Sequence, residues 1–210
     1  MKNFFNWKLN TPLEYFNFIL LGLSGIVILF FYVKLIERGR TARGASKRVH
    51  KMLRKSHLPS STVLSDIKLM IGDELLHFDH LILDIKGILA IKTLNWGTSV
   101  YGEASSEHWK LKDKKREETI PNPMLKLEQD QVKLLKMLNA KEIYGVPVTN
   151  IAIMSDPFDN PEIYLGKNPP AITYKEIKPY FKKRAALPDR VKNLDKLTEV
   201  IQAAVIKQDQ

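Results

Sequence analysis

The stretch FNFILLGLSGIVILFFYV, Phe16 to Val33, sets the first limit on what this chain can fold into. It contains no charged residue, and apart from the Tyr32 hydroxyl only Asn17 and Ser24 are polar. At about 1.5 Å per residue, a helix of this length approaches the ~30 Å hydrocarbon core of a bilayer, and Leu35 and Ile36 extend it past Lys34. Aromatic residues gather at both ends, Tyr15, Phe16 and Phe18 at one and Phe30, Phe31 and Tyr32 at the other, where interfacial rings sit well. A cleaved signal peptide is the competing reading. Against it, the run is longer than an ordinary h-region, and it is followed by a dense basic block with no small-x-small cleavage site.

That block accounts for most of the chain's net charge of +10. Residues 34–55 carry nine basic side chains against Glu37, whereas residues 1–33 and residues 56–210 each sum to +1. A basic excess on the C-terminal side of a span predicts a cell-membrane protein, single-pass, with residues 1–15 outside the cytoplasm, a transmembrane helix over 16–36 and everything beyond it cytoplasmic. Val49, Met52 and Leu53 recur at helical spacing, so a basic juxtamembrane helix is expected within 37–58. Residues 16–55 are then the part that meets membrane lipid, with the cations near anionic headgroups. A charge run by itself carries no sequence readout, so it does not establish nucleic-acid binding. The chain has no cysteine, which excludes disulfides and thiolate metal sites.

The remaining domain, 59–210, opens after the Ser/Pro breaker SHLPSST with a run of strands. Val63–Met70, Glu74–Asp84 and Ile88–Thr93 are separated by the turn signals Gly72-Asp73 and Lys86-Gly87, and a short strand is expected at Val100–Glu103. The polar stretch 104–122 reads as an exposed loop. Asn122-Pro123 begins a helix with Met124, Leu127, Gln131, Leu134, Leu135 and Leu138 at helical spacing. Strand composition returns in EIYGVPVTNIAIMSD. Thr173 and Glu176 match a capping box, and Pro188-Asp189 is expected to open a last amphipathic helix running to about Lys207. Strands, helix, strand and helices in this order define an α/β or α+β domain.

The chemistry-bearing residues lie in the second and third strands. Asp79 sits on one, Ala90 and Lys92 share a face of the next, and a tight turn joins them. A carboxylate on one strand followed by acidic-x-Lys on its neighbour is the arrangement of the PD-(D/E)xK nucleases, whose two acids hold Mg²⁺ while the lysine stabilises charge or positions water. His77 and His80 flank Asp79 but alternate to opposite faces, so they do not form a two-histidine metal site. Trp96 and Trp109 are able to stack on bases, although packing beside a hairpin is the commoner role.

Over roughly residues 40–165 the chain resembles the nuclease-related domain (NERD) family, a relative of the PD-(D/E)xK enzymes. The resemblance is carried by GASKRVHKML, Asp79 in FDHLIL, GILAIKTLNWG, Gly102 and Trp109 in YGEASSEHW, Asn122-Pro123 before a long helix, and ITYKEIKPYF. It implies a restriction-endonuclease-like α/β fold, a mixed sheet flanked by helices and preceded here by one transmembrane helix. It also implies departures at the chemistry. Ala90 stands where the family pattern has Glu, Ala45-Ser46 where it has Gly-Glu, and Lys126 where it has Gln. Only Asp79 and Lys92 match catalytic positions, and Asp79 is the one matching metal ligand. One carboxylate beside an ammonium makes a poor Mg²⁺ site, so the expectation is an ion pair and a degraded nuclease centre that works as a binding or assembly module. The alternative is a Mg²⁺-dependent DNase whose missing acid is supplied by Glu74, Asp84, Glu103 or Glu128. A purely structural subunit of a membrane complex is the third reading. If DNA is the partner, Lys110, Lys112, Lys114, Lys115, Arg116 and Lys126 are the cations offered to it; otherwise a protein of a membrane complex is expected. No small-molecule substrate is evident, and no cofactor is expected outside the Mg²⁺ alternative.

Overall fold

In the computed structural model, residues 12–56, 59–113 and 116–206 are described, and the chain divides after Gly39 into two units. The first contains the helix α1, Pro12–Gly39. Its window Tyr15–Glu37 has a mean hydropathy of 2.5 and is long and apolar enough to cross a bilayer. Every described side chain from Tyr15 to Leu35 is exposed.

The second unit, Arg40–Gln210, is built on a five-stranded mixed sheet. Its strands are β1 (Thr62–Ile71), β2 (Glu74–Asp84), β3 (Gly87–Leu94), β7 (Val148–Met154) and β9 (Ala171–Thr173), in the order β1-β2-β3-β7-β9. The first three are antiparallel, and β3, β7 and β9 run parallel. Strand limits follow the alternation and turn residues read from the sequence to within about a residue or two. Gly87 is required at the β2–β3 turn. Its φ is +129°, and a Cβ there would lie 2.3 Å from the Pro147 carbonyl oxygen, which accepts the Ile88 N–H.

Helices cover both faces of the sheet. On one face α2 (Ala42–Ser56) and α4 (Ile177–Ala185) bury Val49, Leu53, Ile177 and Phe181 against Ile82, Leu89, Ile91, Ile151 and Ile153. On the other, α3 (Pro123–Ala140) and α5 (Leu194–Ala204) contribute Met124, Leu134, Leu138, Leu197 and Ile201 to the larger core. The basic helix expected as a juxtamembrane element is thus a core element of the domain. Asn122 caps α3 by accepting the Met124 N–H at 2.9 Å. The Glu176 carboxylate accepts the Thr173 N–H and hydroxyl at 2.7 and 2.8 Å, so the expected capping box forms, leading through a 3₁₀ turn into α4.

Two expectations are corrected. The stretch 104–122 is not a loop: it holds β5 (His108–Lys112) and β6 (Glu117–Pro121), which join β4 (Ser99–Tyr101) and β8 (Ile163–Tyr164) in a second sheet. Their inward side chains, Trp109, Leu111 and Ile120, join the main core, while the outward positions carry charge. The last helix begins at Leu194 rather than Pro188, because Arg190 and Val191 both donate their N–H groups to the Ile85 carbonyl and Asn193 supplies the cap. Its predicted end, Lys207, lies outside the described residues.

The Arg40 side chain ties the domain's first residue to a loop. Its guanidinium reaches Asp159 at 3.0 Å and Asp156 at 3.6 Å, and its carbonyl accepts the Asn95 amide at 2.8 Å. Gly97 permits this approach, since a Cβ there would meet the Asp159 carboxylate at 2.9 Å.

At the far end of β2, Asp84 and Arg184 form a fully buried two-point ion pair, Nε–Oδ2 2.9 Å and Nη2–Oδ1 3.0 Å, with the Lys86 N–H as a further donor to Asp84. Removing one partner leaves a buried charge uncompensated. Arg184→Ala is expected to cost about 3–5 kcal/mol, read as a urea midpoint of the full chain in detergent, whereas Asp84→Asn with Arg184→Met together should lose much less.

Candidate functional site at the β2–β3 fork

The ribbon β1–β2 keeps one register throughout, from Thr62 opposite Leu83 to Ile71 opposite Glu74, yet no bridge joins Asp66 to Asp79. Asp66 has φ +52°, a left-handed conformation that Asp tolerates better than most residues. The strand faces exchange at this point. Leu76 and Phe78 face the larger core before it and Leu81 and Leu83 after it, and in β1 the corresponding set shifts from Leu64 to Ile67 and Leu69. The β2–β3 ladder stops here too, its last pair being His80 with Ile91.

Asp79 occupies the fork. Its Oδ2 accepts the Thr93 N–H at 2.8 Å, in place of the ladder bond that the parting strands cannot make, and its Oδ1 takes Lys92 Nζ at 3.1 Å. The Asp79 side chain is 13 % exposed and that of Lys92 40 %. Both carboxylate oxygens are therefore engaged, and a cation at this point would have to displace an ammonium group. Ala90 is fully buried, between Leu81 on β2 and Asn150 on β7 in the ladder.

Helix α2 forms the opposite wall. Its inward residues Ala45, Val49 and Leu53 hold it to the core and turn Ser46 and His50 towards β1 and β2. Ser65 Oγ lies 2.6 Å from His50 Nδ1 and 2.7 Å from His80 Nδ1. A hydroxyl has one proton, so it donates to one imidazole and accepts from the N–H of the other. Ser46 Oγ stands 3.5 Å from His80 Nε2, at the long limit of a hydrogen bond. Burial pushes the His80 imidazole down to about 4, so it is neutral at pH 7. Where the family pattern has an acid, this chain places a hydroxyl against an uncharged ring.

Between these walls lies a cleft of about 660 Å³, whose lining includes Arg43, Ser46, Lys47, Asp79, Lys92 and Thr93. The Thr93 hydroxyl is buried and has no hydrogen-bond partner among the described residues. Asp66 also borders the cleft and holds His77 Nε2 at 2.8 Å. The acids considered as substitutes for Ala90 are placed otherwise: Asp84 is bound to Arg184, Glu74 pairs with Lys133, and Glu128 is exposed on α3. The Glu103 carbonyl accepts the indole N–H of Trp109, which is fully buried and unavailable for stacking. Among the described residues, no three His, Asp or Glu side chains come together as a set able to hold a metal ion.

Among the described residues, the cations offered to DNA do not line the cleft. Lys110 and Lys112 share Glu117 at 3.2 and 4.0 Å, Lys126 holds the buried Asp130 at 2.8 Å, and Arg116 is exposed in the β5–β6 turn. Lys114 and Lys115 are outside the described residues. Sequence reasoning missed Arg43, Lys47, His50, Ser65 and Asp66. Their one sequence signal is the adjacent polar pair Ser65-Asp66 inside an apolar-rich strand.

A mixed sheet with helices on both faces and an Asp/Lys pair where two central strands part defines a protein of nuclease-like architecture. The family model of the nuclease-related domain matches residues 40–155, and the chain belongs to that family. No curated protein and no solved structure matches the chain.

The buried histidine has a measurable consequence. A group whose folded value lies below its ordinary 6.5 leaves the unfolded chain binding more protons between those values, so stability is full above pH 6.5 and falls as pH drops towards 4. A loss of about 2 kcal/mol between pH 7 and pH 5 is expected from His80. Thermal unfolding of the full chain across that range should show it, and His80→Gln should flatten the slope. An unchanged slope would place the titration elsewhere.

Proposed function

We propose that this chain is a membrane-anchored nuclease-related protein whose cleft no longer cuts nucleic acid and acts as a binding or assembly module at the cytoplasmic membrane face. The observation that carries this reading is the state of the one remaining acid: Asp79 is engaged by Lys92 and the Thr93 N–H, while Ala90 and Ser46 offer no second carboxylate. Mg²⁺ is ordinarily held by one or two carboxylates together with waters and substrate phosphates, and it activates water by its charge. The residues at this fork do not fit such an ion, because the ammonium group occupies the position of the cation. The partner in this reading is DNA or a protein of a membrane complex, reached from a chain held to the bilayer by residues 16–36. The basic excess after α1 supports a cytoplasmic domain and an external N-terminus. In intact cells freed of any outer wall, protease added from outside should leave Arg40–Gln210 uncut; cleavage there would reverse the topology.

A Mg²⁺-dependent DNase is the second reading, favoured by one observation: a second carboxylate, Asp66, borders the same cleft as Asp79. A cleavage assay with Mg²⁺ or Mn²⁺ separates the two. It needs the full chain in detergent, because α2 belongs to the domain core. No metal-dependent cutting is expected from the native protein. Cutting that disappears in both Asp66→Ala and Asp79→Ala would establish the second reading instead. Ala90→Glu tests the lineage of the site, and gain of metal binding is the expected result.

A further inference from the structure

The near-neutral sum of residues 56–210 conceals a set of cations on α4 that joins the basic α2 on one face of the domain. On α2 the exposed residues Arg43, Lys47, Lys51 and Arg54 follow at intervals of four, four and three, which aligns them in one stripe, with Lys55 beside it. On α4 and the turn before it, Lys175, Lys178, Lys182 and Lys183 are exposed. None of these cations forms an ion pair with an acid among the described residues. The two helices pack against each other on the same face of the sheet, so both sets belong to one layer. Segment 42–56 has no acid, and the acid of 174–185, Glu176, is committed to the Thr173 cap. The opposite layer is mixed: Lys126 pairs with Asp130, Lys133 with Glu74, and α5 carries Asp195, Lys196 and Glu199.

We infer that the outer surface of the α2/α4 layer is a docking face for an anionic lipid surface, laying the domain flat on the bilayer. This rests on the membrane-anchor reading, and it extends the lipid contact from the collar after α1 to a second helix more than a hundred residues later. Three features favour lipid over nucleic acid. Lysine outnumbers arginine on the layer, and its point charge suits a diffuse headgroup field rather than two-point phosphate recognition. No large hydrophobic side chain of α2 or α4 is exposed, so the face offers no aromatic platform for bases. And α2 starts three residues beyond the end of α1, a reach of about 10 Å at most, comparable with the Debye length at physiological salt.

The absence of native cysteine allows a direct test. Full-length protein carrying Lys182→Cys on α4, or Lys136→Cys on the opposite α3, is labelled with a fluorophore. It is then reconstituted into vesicles of phosphatidylcholine alone or with phosphatidylserine, each containing a headgroup quencher. Quenching at position 182 should exceed that at 136 by about threefold or more, only with phosphatidylserine, and should vanish near 1 M salt, where screening is almost complete. It should also vanish when Lys175→Glu, Lys178→Glu and Lys183→Glu are added. Equal quenching at both positions, or quenching indifferent to anionic lipid, overturns the inference. So does absence of quenching at 182 together with its shielding by added duplex DNA, which assigns the face to nucleic acid. Carbonate extraction of the same vesicles reads the anchor separately: release of the protein defeats the span, whereas retention with flat quenching defeats the docking face alone.

Discussion

The fork at which β2 leaves β3 is the constraint on which the rest of the site depends. Two strands that part in the middle of a sheet strand their backbone donors, and a buried N–H without an acceptor is costly. Asp79 resolves this by accepting from Thr93, which fixes the carboxylate beside Lys92 whatever the site is used for. The Asp79–Lys92 pair thus has a structural reason to exist without an acid at position 90. The presence of these two residues is weak support for catalysis by itself.

The consequences reach the neighbouring elements. The face exchange at Asp66 and Asp79 turns His80 and Ser65 towards α2, and there the helix meets them with Ser46 and His50. A glutamate in place of Ser46 would meet a neutral buried imidazole, and a charge there would need its own compensation. With serine, the neutral His80 ring meets an uncharged hydroxyl. With Ser46 and Ala90 bearing no charge, the lining is biased towards cations, Arg43, Lys47 and Lys92 standing with Asp66 and Asp79, whose carboxylates are already hydrogen-bonded.

Much of the scaffold was legible in the sequence, because β1, β2 and β3 are apolar-rich and are punctuated by Gly72 and Gly87. Helix α3 was announced by Asn122-Pro123. The β5–β6 hairpin was not legible: with only Trp109, Leu111 and Ile120 turned inward, its outward lysines and glutamates give the composition of a loop. Pro188-Asp189 imitates a helix start, but the N–H groups that follow are taken by Ile85, a contact across a hundred residues that no local pattern encodes. At the site, Asp79 and Lys92 were visible through their motif, whereas Ser65 and Asp66 were not, since their roles depend on one left-handed residue and on a helix that precedes the strand. The charge layer escaped for another reason: α4 supplies its second half, and a sum over 155 residues averages it away.

The contacts of Arg40 give the start of the domain a mechanical meaning. The segment arriving from α1 is gripped at its first domain residue by Asp156 and Asp159, which follow β7, and by Asn95, which directly follows β3. A pull on the backbone at residue 40 would therefore be borne first by the loop after β7 and by the end of β3, the strand that carries Lys92.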